Sequence, residues 1–93
     1  MLSIRRLICD AWNVAYIARH DVTPEEVEQV CQGTHITRQA HEERVIVIGP
    51  TRTDRVLALI LDPEGEGVYY PVTAQPASRK ERHLYEQGRA EKT

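Results

Sequence analysis

Apolar side chains in the first third of the chain follow a helical period after a short extended start. Residues 4–9 predict a brief first strand, and residues 11–20 predict a helix for which Asp10 serves as the N-cap. One stripe along this helix consists of Trp12, Ala15, Tyr16 and Arg19. Because the chain contains no phenylalanine, we expect Trp12 and the tyrosines to join the aliphatic residues in the core.

A second helix follows, and a capping box marks its beginning. The hydroxyl of Thr23 can accept a hydrogen bond from the backbone N–H of Glu26, whose carboxylate can reach back to Thr23. Pro24 occupies the first helical position, where its missing N–H has no cost. The predicted buried face consists of Val27, Val30 and Cys31. Gly33 is the predicted end of this helix.

The next part of the chain shows apolar runs of strand length instead. Residues 34–39 predict an edge strand, because one isoleucine lies among polar residues. Residues 44–49 and 55–62 are rich in β-branched and aliphatic side chains and predict a hairpin with a short turn. A second turn at residues 63–67 leads to a last strand over residues 68–74.

The last predicted strand has an irregular composition. Pro71 removes one donor of the ladder, which predicts a sheet edge, a bulge or an irregular site nearby. By strand alternation, one face carries Tyr69, Pro71, Thr73 and Gln75. The opposite face then carries Tyr70, Val72 and Ala74. We therefore expect one of the two tyrosines to be packed and the other to be accessible.

A closing helix is predicted from a second capping box, formed by Ser78 and Glu81. This helix is expected to cover residues 79–87 and to end at Gly88, which leaves residues 89–93 as a frayed tail. Its inward side chains are predicted to be Leu84 and Tyr85. The elements together predict an α+β fold with a short first strand, two N-terminal helices, a mostly antiparallel sheet and a C-terminal helix.

Composition and charge support one small domain over residues 1–93. Hydrophobic residues make up 41% of the chain and charged residues 28%, as in ordinary globular proteins. The net charge of −2 argues against an overall attraction to nucleic acid. From Arg79 onward, however, five Lys or Arg residues stand against three Glu residues. A nucleic-acid partner would therefore have to bind a local patch.

Several classes of chemistry have no support in the sequence. It contains no phosphate-binding loop and no dinucleotide fingerprint, and its four histidines lack metal-ligand spacing, so we expect neither a metal nor a cofactor. Cys9 and Cys31 lie in apolar contexts and predict small core residues in a reducing compartment, with a reactive thiol as the alternative. No signal peptide or membrane span is evident, which predicts a cytoplasmic protein.

Three polar patches are candidates for function, and each has a structural alternative. Arg19 and His20 can complement the dipole of the first helix, or they can transfer a proton and hold a phosphate. Arg52 and Arg55 can be solvated turn residues or can stabilise phosphoryl charge. The third patch consists of Tyr69, Tyr70, Thr73, Gln75, Arg79 and Arg82. These side chains can clamp single-stranded RNA, and they equally suit the rim of a protein interface.

Several short stretches also occur in a characteristic order. They are Asp10 with Trp12-Asn13, residues 17–28 (IARHDVTPEEVE), Arg44 at the head of the strand that ends at Gly49, and residues 72–74 (VTA) followed by residues 77–82 (ASRKER) and Tyr85. In their order and spacing they resemble the BrnT family of bacterial type II toxin–antitoxin toxins, which are compact ribonucleases with a RelE-type fold. The resemblance covers residues 8–86, nearly the whole chain.

This resemblance implies a growth-inhibiting toxin that cleaves RNA without a metal, using the RNA 2′-hydroxyl as the nucleophile. It also implies a BrnA-like ribbon-helix-helix antitoxin as partner, with operator DNA bound only through the toxin–antitoxin complex and no membrane partner. The implied catalytic residues are Arg19, His20, Arg44, Thr73 and Glu81. Together with the three patches, it predicts RNA binding by Arg52, Arg55, Tyr70, Gln75, Arg79, Arg82 and Tyr85.

The last strand departs from the family pattern. Where the family commonly reads Arg-Ile-Ile-Ser-Ala-Arg, this chain has Tyr70 and Gln75 in place of the two arginines. Loss of two phosphate-facing cations removes on the order of several kcal/mol of transition-state stabilisation. With this departure, the resemblance implies a ribonuclease toxin of weakened activity. The alternative is a catalytically silent RelE-fold module that only captures an antitoxin-like partner.

Overall fold

Within residues 2–91, which the computed structural model describes, five strands form one sheet and three α-helices pack against its faces. The strands are β1 (Arg6–Leu7), β2 (Ile36–Gln39), β3 (Val45–Pro50), β4 (Val56–Gly65) and β5 (Val68–Pro76). The helices are α1 (Ala11–Ala18), α2 (Pro24–Gln32) and α3 (Arg79–Glu91), with a short 3-10 helix at His41–Glu43. The strand order is β1-β5-β4-β3-β2, and only the β1–β5 pair is parallel within the described chain. The predicted α+β class and mostly antiparallel sheet are confirmed.

The helix starts follow the sequence signals closely. The Asp10 carboxylate accepts hydrogen bonds from the backbone N–H groups of Trp12 and Asn13, both at 2.9 Å. Thr23 and Glu26 form the predicted capping box of α2, with reciprocal bonds of 3.2 and 3.0 Å. The second predicted box, at the start of α3, is also formed, and its bonds are 3.1 and 2.8 Å long. These side chains satisfy backbone donors that a helix end would otherwise leave without partners.

The sheet separates two apolar cores. On one face, which we call the helix-pair face, α1 contacts β5 and α2 contacts β3 and β4. The sheet residues buried there are Val47, Leu57, Leu59, Leu61 and Ala74. On the opposite face, which we call the open face, α3 contacts β2 and β3 over a smaller core. That core consists of Ile36, Ile48, Ala58 and Tyr85.

A bulge in β5 changes the predicted alternation of its side chains. Ile60 pairs with Thr73 whereas Leu61 pairs with Pro71, so one extra residue, Val72, lies between the two pairs. Pro71 is buried and shares the helix-pair face with Leu61, while Thr73 lies on the open face. The prediction that Pro71 and Thr73 share a face is therefore wrong. The expected irregularity at Pro71 is confirmed, and it is what turns Thr73 to the open face.

Three residues expected in the core lie at the surface: Trp12, Cys9 and Tyr16, of which Tyr16 is 46% exposed. Trp12 is 83% exposed, because the buried side of α1 is formed by Asn13 and Ile17 rather than by the tryptophan stripe. Cys9 is exposed as well, since it lies between β1 and α1 where no element covers it. Cys31 is buried in the first core, as predicted.

The last helix and the second turn differ in length from the predictions. α3 continues through Gly88 to Glu91, so Gly88 does not end it, and residues 92–93 of the expected tail lie outside the described residues. A Cβ at Gly88 would lie 2.6 Å from Cγ2 of Ile36, so the glycine serves close packing of α3 on β2. β4 extends to Gly65, which shortens the predicted turn. In the described part of the chain, no helix is long and apolar enough to cross a membrane.

Candidate functional site

The open face carries one row of side chains across four strands. Arg38 of β2 pairs with Ile46, Ile46 pairs with Ile60, and Ile60 pairs with Thr73. Directly paired residues project to the same side of a sheet, so these four side chains share the open face. Arg38 is exposed and the other three are half-buried. The row therefore gives the sheet an accessible apolar floor with a cation at one end and a hydroxyl at the other.

A groove of about 440 Å³ joins this row to the start of α3. Its floor is formed by Ile46, Ile48 and Leu84. Its polar rim consists of Arg38, Gln75, Ser78, Lys80 and Glu81. One oxygen of Glu81 accepts the Ser78 backbone N–H at 2.8 Å, so the carboxylate caps α3 and borders the groove at the same time.

Arg44 lies further along the same face. Arg44 lies two residues before Ile46, and Asp62 lies two residues after Ile60. Residues two apart in extended chain project to the same side, so both charged groups lie on the open face. The Nε atom of Arg44 is 4.0 Å from a carboxylate oxygen of Asp62, too long for a hydrogen bond. Both side chains are more than one third exposed, so this ion pair contributes only about 0–1 kcal/mol. The guanidinium is therefore not firmly engaged and can turn toward an anion on the sheet.

Arg19 and His20 lie elsewhere. Both follow α1, where the Arg19 guanidinium carbon is 5.9 Å from the ring centroid of Tyr16 and the His20 ring is also 5.9 Å from it. The His20 carbonyl accepts a 3.4 Å hydrogen bond from Arg55, at the start of β4, whereas Arg44 lies beside Asp62. Positions 55 and 62 are seven residue steps apart along the chain, which in a strand is about 23 Å. The structure does not bring the predicted histidine and the mid-sheet arginine together.

The two predicted turn arginines have different surroundings. Arg55 donates to the Glu26 carboxylate at 3.0 Å and to the Asp21 carbonyl at 2.6 Å, so it ties β4 to α2 and to the turn before it. Arg52 is exposed, and its backbone N–H donates to the Gln29 side chain at 3.0 Å. Both lie at the end of the sheet away from Arg44. Arg55 has the contacts of a structural residue.

The remaining predicted RNA-binding residues are dispersed. The Tyr70 hydroxyl donates to both oxygens of Asp10, at 3.0 and 3.1 Å. The pKa of Asp10 is lowered, mainly because the carboxylate accepts the Asn13 N–H, and the pKa of Tyr70 is raised by partial desolvation and by Asp10. Tyr85 is 6% exposed and belongs to the second core. Arg79 and Arg82 are exposed on α3, and Gln75 borders the groove.

The structure adds two cations that the sequence analysis did not single out. Arg38 and Lys80 border the open-face groove from β2 and α3. Arg38 could have been found from strand alternation, because it lies two residues after the buried Ile36. Lys80 gave no such signal. Within residues 2–91, no cluster of three or more histidine, cysteine or acidic side chains could hold a metal ion.

Comparison with known proteins adds no family assignment: no protein-family model matches the chain, and no curated protein is significantly similar to it.

Proposed function

We propose that this chain is a BrnT-like, RNA-acting toxin domain and that RNA lies on the open face. The observation that carries the proposal is the convergence of Arg38, Arg44 and Thr73 on one accessible sheet surface. Single-stranded RNA is bound by a cationic surface that follows its phosphates and by flat or apolar side chains that contact its bases. The half-buried row across the sheet has both properties.

The proposed chemistry is attack of an RNA 2′-hydroxyl on the adjacent phosphorus. A 2′,3′-cyclic phosphate forms, the bond to the 5′-oxygen of the next nucleotide breaks, and that oxygen leaves as a hydroxyl after it takes a proton from water. Arg44 and Arg38 would stabilise the negative charge that grows on the phosphoryl oxygens. The Thr73 hydroxyl would position the phosphate, and Glu81 is the carboxylate at the groove that can accept the 2′-hydroxyl proton. His20 lies outside this surface, which together with Tyr70 and Gln75 in the arginine positions favours weak activity.

A cleavage assay with matched variants tests this proposal. Purified chain is incubated with single-stranded RNA, and the variants Arg44→Ala and Arg52→Ala are compared at equal concentration. Both remove one guanidinium, but Arg52 is exposed on a turn away from the open face. We expect Arg44→Ala to lower cleavage at least about tenfold, in line with a lost electrostatic contact, and Arg52→Ala to leave it unchanged. Intact RNA with the parent chain would overturn the enzymatic proposal.

His20→Ala locates the site independently. If RNA reacts on the open face, this variant retains most of the cleavage, because His20 lies at the far end of β4 on the helix-pair side. If His20→Ala abolishes cleavage while Arg44→Ala does not, the reactive site lies at the end of α1 instead. Growth arrest on expression provides a second measure of the same variants.

A second candidate function is a catalytically silent module that captures a ribbon-helix-helix partner. The separation of about 23 Å between the ends of β4 that hold His20 and Arg44 favours it, because the implied catalytic set is then incomplete. A small ribbon-helix-helix protein encoded beside this chain would be co-expressed and co-purified with it. A stable complex, combined with absence of RNA cleavage by the free chain, would support this function over the first.

A further inference from the structure

Two aromatic side chains lie on the surface of α1 without a role in its packing. Trp12 is 83% exposed and Tyr16, one turn later, is 46% exposed. The buried side of α1 is supplied by Asn13 and Ile17, so neither ring belongs to the buried side of the helix. Large exposed aromatic side chains that neighbour one another on a surface are typical of a binding site.

These rings form one wall of a groove of about 400 Å³ between α1 and β5. The opposite wall consists of Tyr70, Val72 and Thr73. Two contacts fix the walls before any ligand binds. The Tyr70 hydroxyl donates to Asp10 at 3.0 Å, and the Asn13 side chain donates to the Ile8 carbonyl at 2.8 Å. The side of the groove that carries Tyr70 is therefore held in place before binding, which lowers the conformational entropy lost there.

A cation lies beside one of the groove's rings, and Thr73 connects the groove to the open face. The Arg19 guanidinium lies 5.9 Å from the Tyr16 ring centroid, at the end of the aromatic stripe. Thr73 belongs both to this groove and to the row of side chains across the sheet. A strand of RNA that passes Thr73 on the open face can therefore continue over the edge of β5 into the groove.

We propose that this groove binds unpaired RNA bases, which stack on Trp12 and Tyr16 while Arg19 binds a neighbouring phosphate. This inference rests on the proposed function, in which the open face brings RNA to Thr73. A base has apolar faces and polar edges, so it is buried between rings while its edges stay in water at the open groove. Stacking on aromatic side chains is also tolerant of sequence. A globular partner would need a larger apolar area than this narrow groove offers.

Trp12 is the single tryptophan of the chain and reports on the groove directly. Its fluorescence is followed during titration with a short oligouridylate, and the control ligand is the same strand with abasic positions. Stacked bases predict saturable quenching by the oligouridylate and much weaker quenching by the abasic strand. Equal quenching by both strands, or none by either, would overturn the proposal. A concentration-dependent change of emission without RNA would also overturn it, because a second copy would then occupy the groove.

Affinity measured by anisotropy of a labelled oligouridylate gives a readout without the tryptophan signal. We expect Trp12→Ala and Tyr16→Ala each to weaken binding between about fivefold and about a hundredfold, the range for one lost base stack. Val14→Ala is the matched control, since Val14 is exposed on the same helix but does not line the groove. Trp12→Phe should restore most of the affinity. Unchanged affinity in both alanine variants would contradict base stacking.

The two proposals fail separately. Suppose that the chain cleaves RNA, but that RNA does not change Trp12 emission and the alanine variants of Trp12 and Tyr16 keep the parent affinity. The stacking groove is then overturned and the proposed function stands. If RNA quenches Trp12 but is never cleaved, the enzymatic function is overturned and the groove stands.

Discussion

Removal of the Arg55 guanidinium tests whether this residue stabilises the fold or binds RNA. Arg55 forms an ion pair with Glu26 at 3.0 Å, with the two side chains 31% and 21% exposed. It also donates to the Asp21 carbonyl at 2.6 Å and to the His20 carbonyl at 3.4 Å. These contacts join the start of β4 to the α1–α2 turn and to the capping box of α2. Arg55→Ala would remove all of them at once.

The expected magnitude follows from the contacts. The partly exposed ion pair contributes about 0.5–1 kcal/mol, and hydrogen bonds from a charged donor add about 1.5 kcal/mol, mainly through the short bond to Asp21. We therefore expect the free energy of unfolding to fall by about 2–2.5 kcal/mol. For a domain of this size the melting temperature falls by roughly 10–20 °C.

Thermal and denaturant unfolding of Arg55→Ala are compared with those of Arg52→Ala, which changes a neighbouring exposed arginine and should cost less than about 0.5 kcal/mol. The RNA affinity of Arg55→Ala, measured well below its melting temperature, should equal that of the parent. The reasoning is refuted if Arg55→Ala is as stable as Arg52→Ala, or if it remains stable and loses RNA binding.

Other consequences of the structure can be measured in the same preparations. Gly88→Ala should lower the free energy of unfolding by about 1 kcal/mol, because the clash with Ile36 outweighs the gain in helix propensity. Thermal unfolding measures this change, and a stabilised variant would contradict the close packing. Cys9 should be alkylated in the native protein, whereas Cys31, whose pKa burial raises to about 12, should react only after unfolding; mass spectrometry checks both. The pKa of Asp10 is lowered in the folded protein, so its carboxylate stabilises the fold above pH 3.8 and this effect is lost as the pH falls below that value. The difference in melting temperature between the parent and Asp10→Ala should therefore shrink as the pH is lowered below 3.8.

Local signals in the sequence were sufficient for most of the fold. The capping boxes at Thr23 and Ser78 act within four residues, and the hairpin strands carry their own β-branched pattern, so both are visible without tertiary information. Gly88 was misinterpreted because a glycine looks the same whether it ends a helix or allows close packing against Ile36.

The candidate site was less accessible to sequence reasoning. One extra residue at Val72 reverses the face of every following side chain, so alternation from Tyr69 placed Thr73 together with Pro71. Trp12 was expected in the core because the chain has no phenylalanine, but the buried side of α1 is formed by Asn13 and Ile17. The separation of His20 from Arg44 depends on strand order and direction, which no short motif encodes.

The central claim is that RNA contacts the open face, and the salt dependence of RNA binding tests it most directly. Each phosphate contact contributes about 0.7 to the slope of log affinity against log salt for a single strand. We predict that Arg44→Ala and Arg38→Ala each reduce this slope by about that amount, and that the double variant reduces it by about twice as much. Arg52→Ala should leave the slope unchanged. If Arg52→Ala lowered the slope while Arg44→Ala and Arg38→Ala left it unchanged, RNA would not contact the open face.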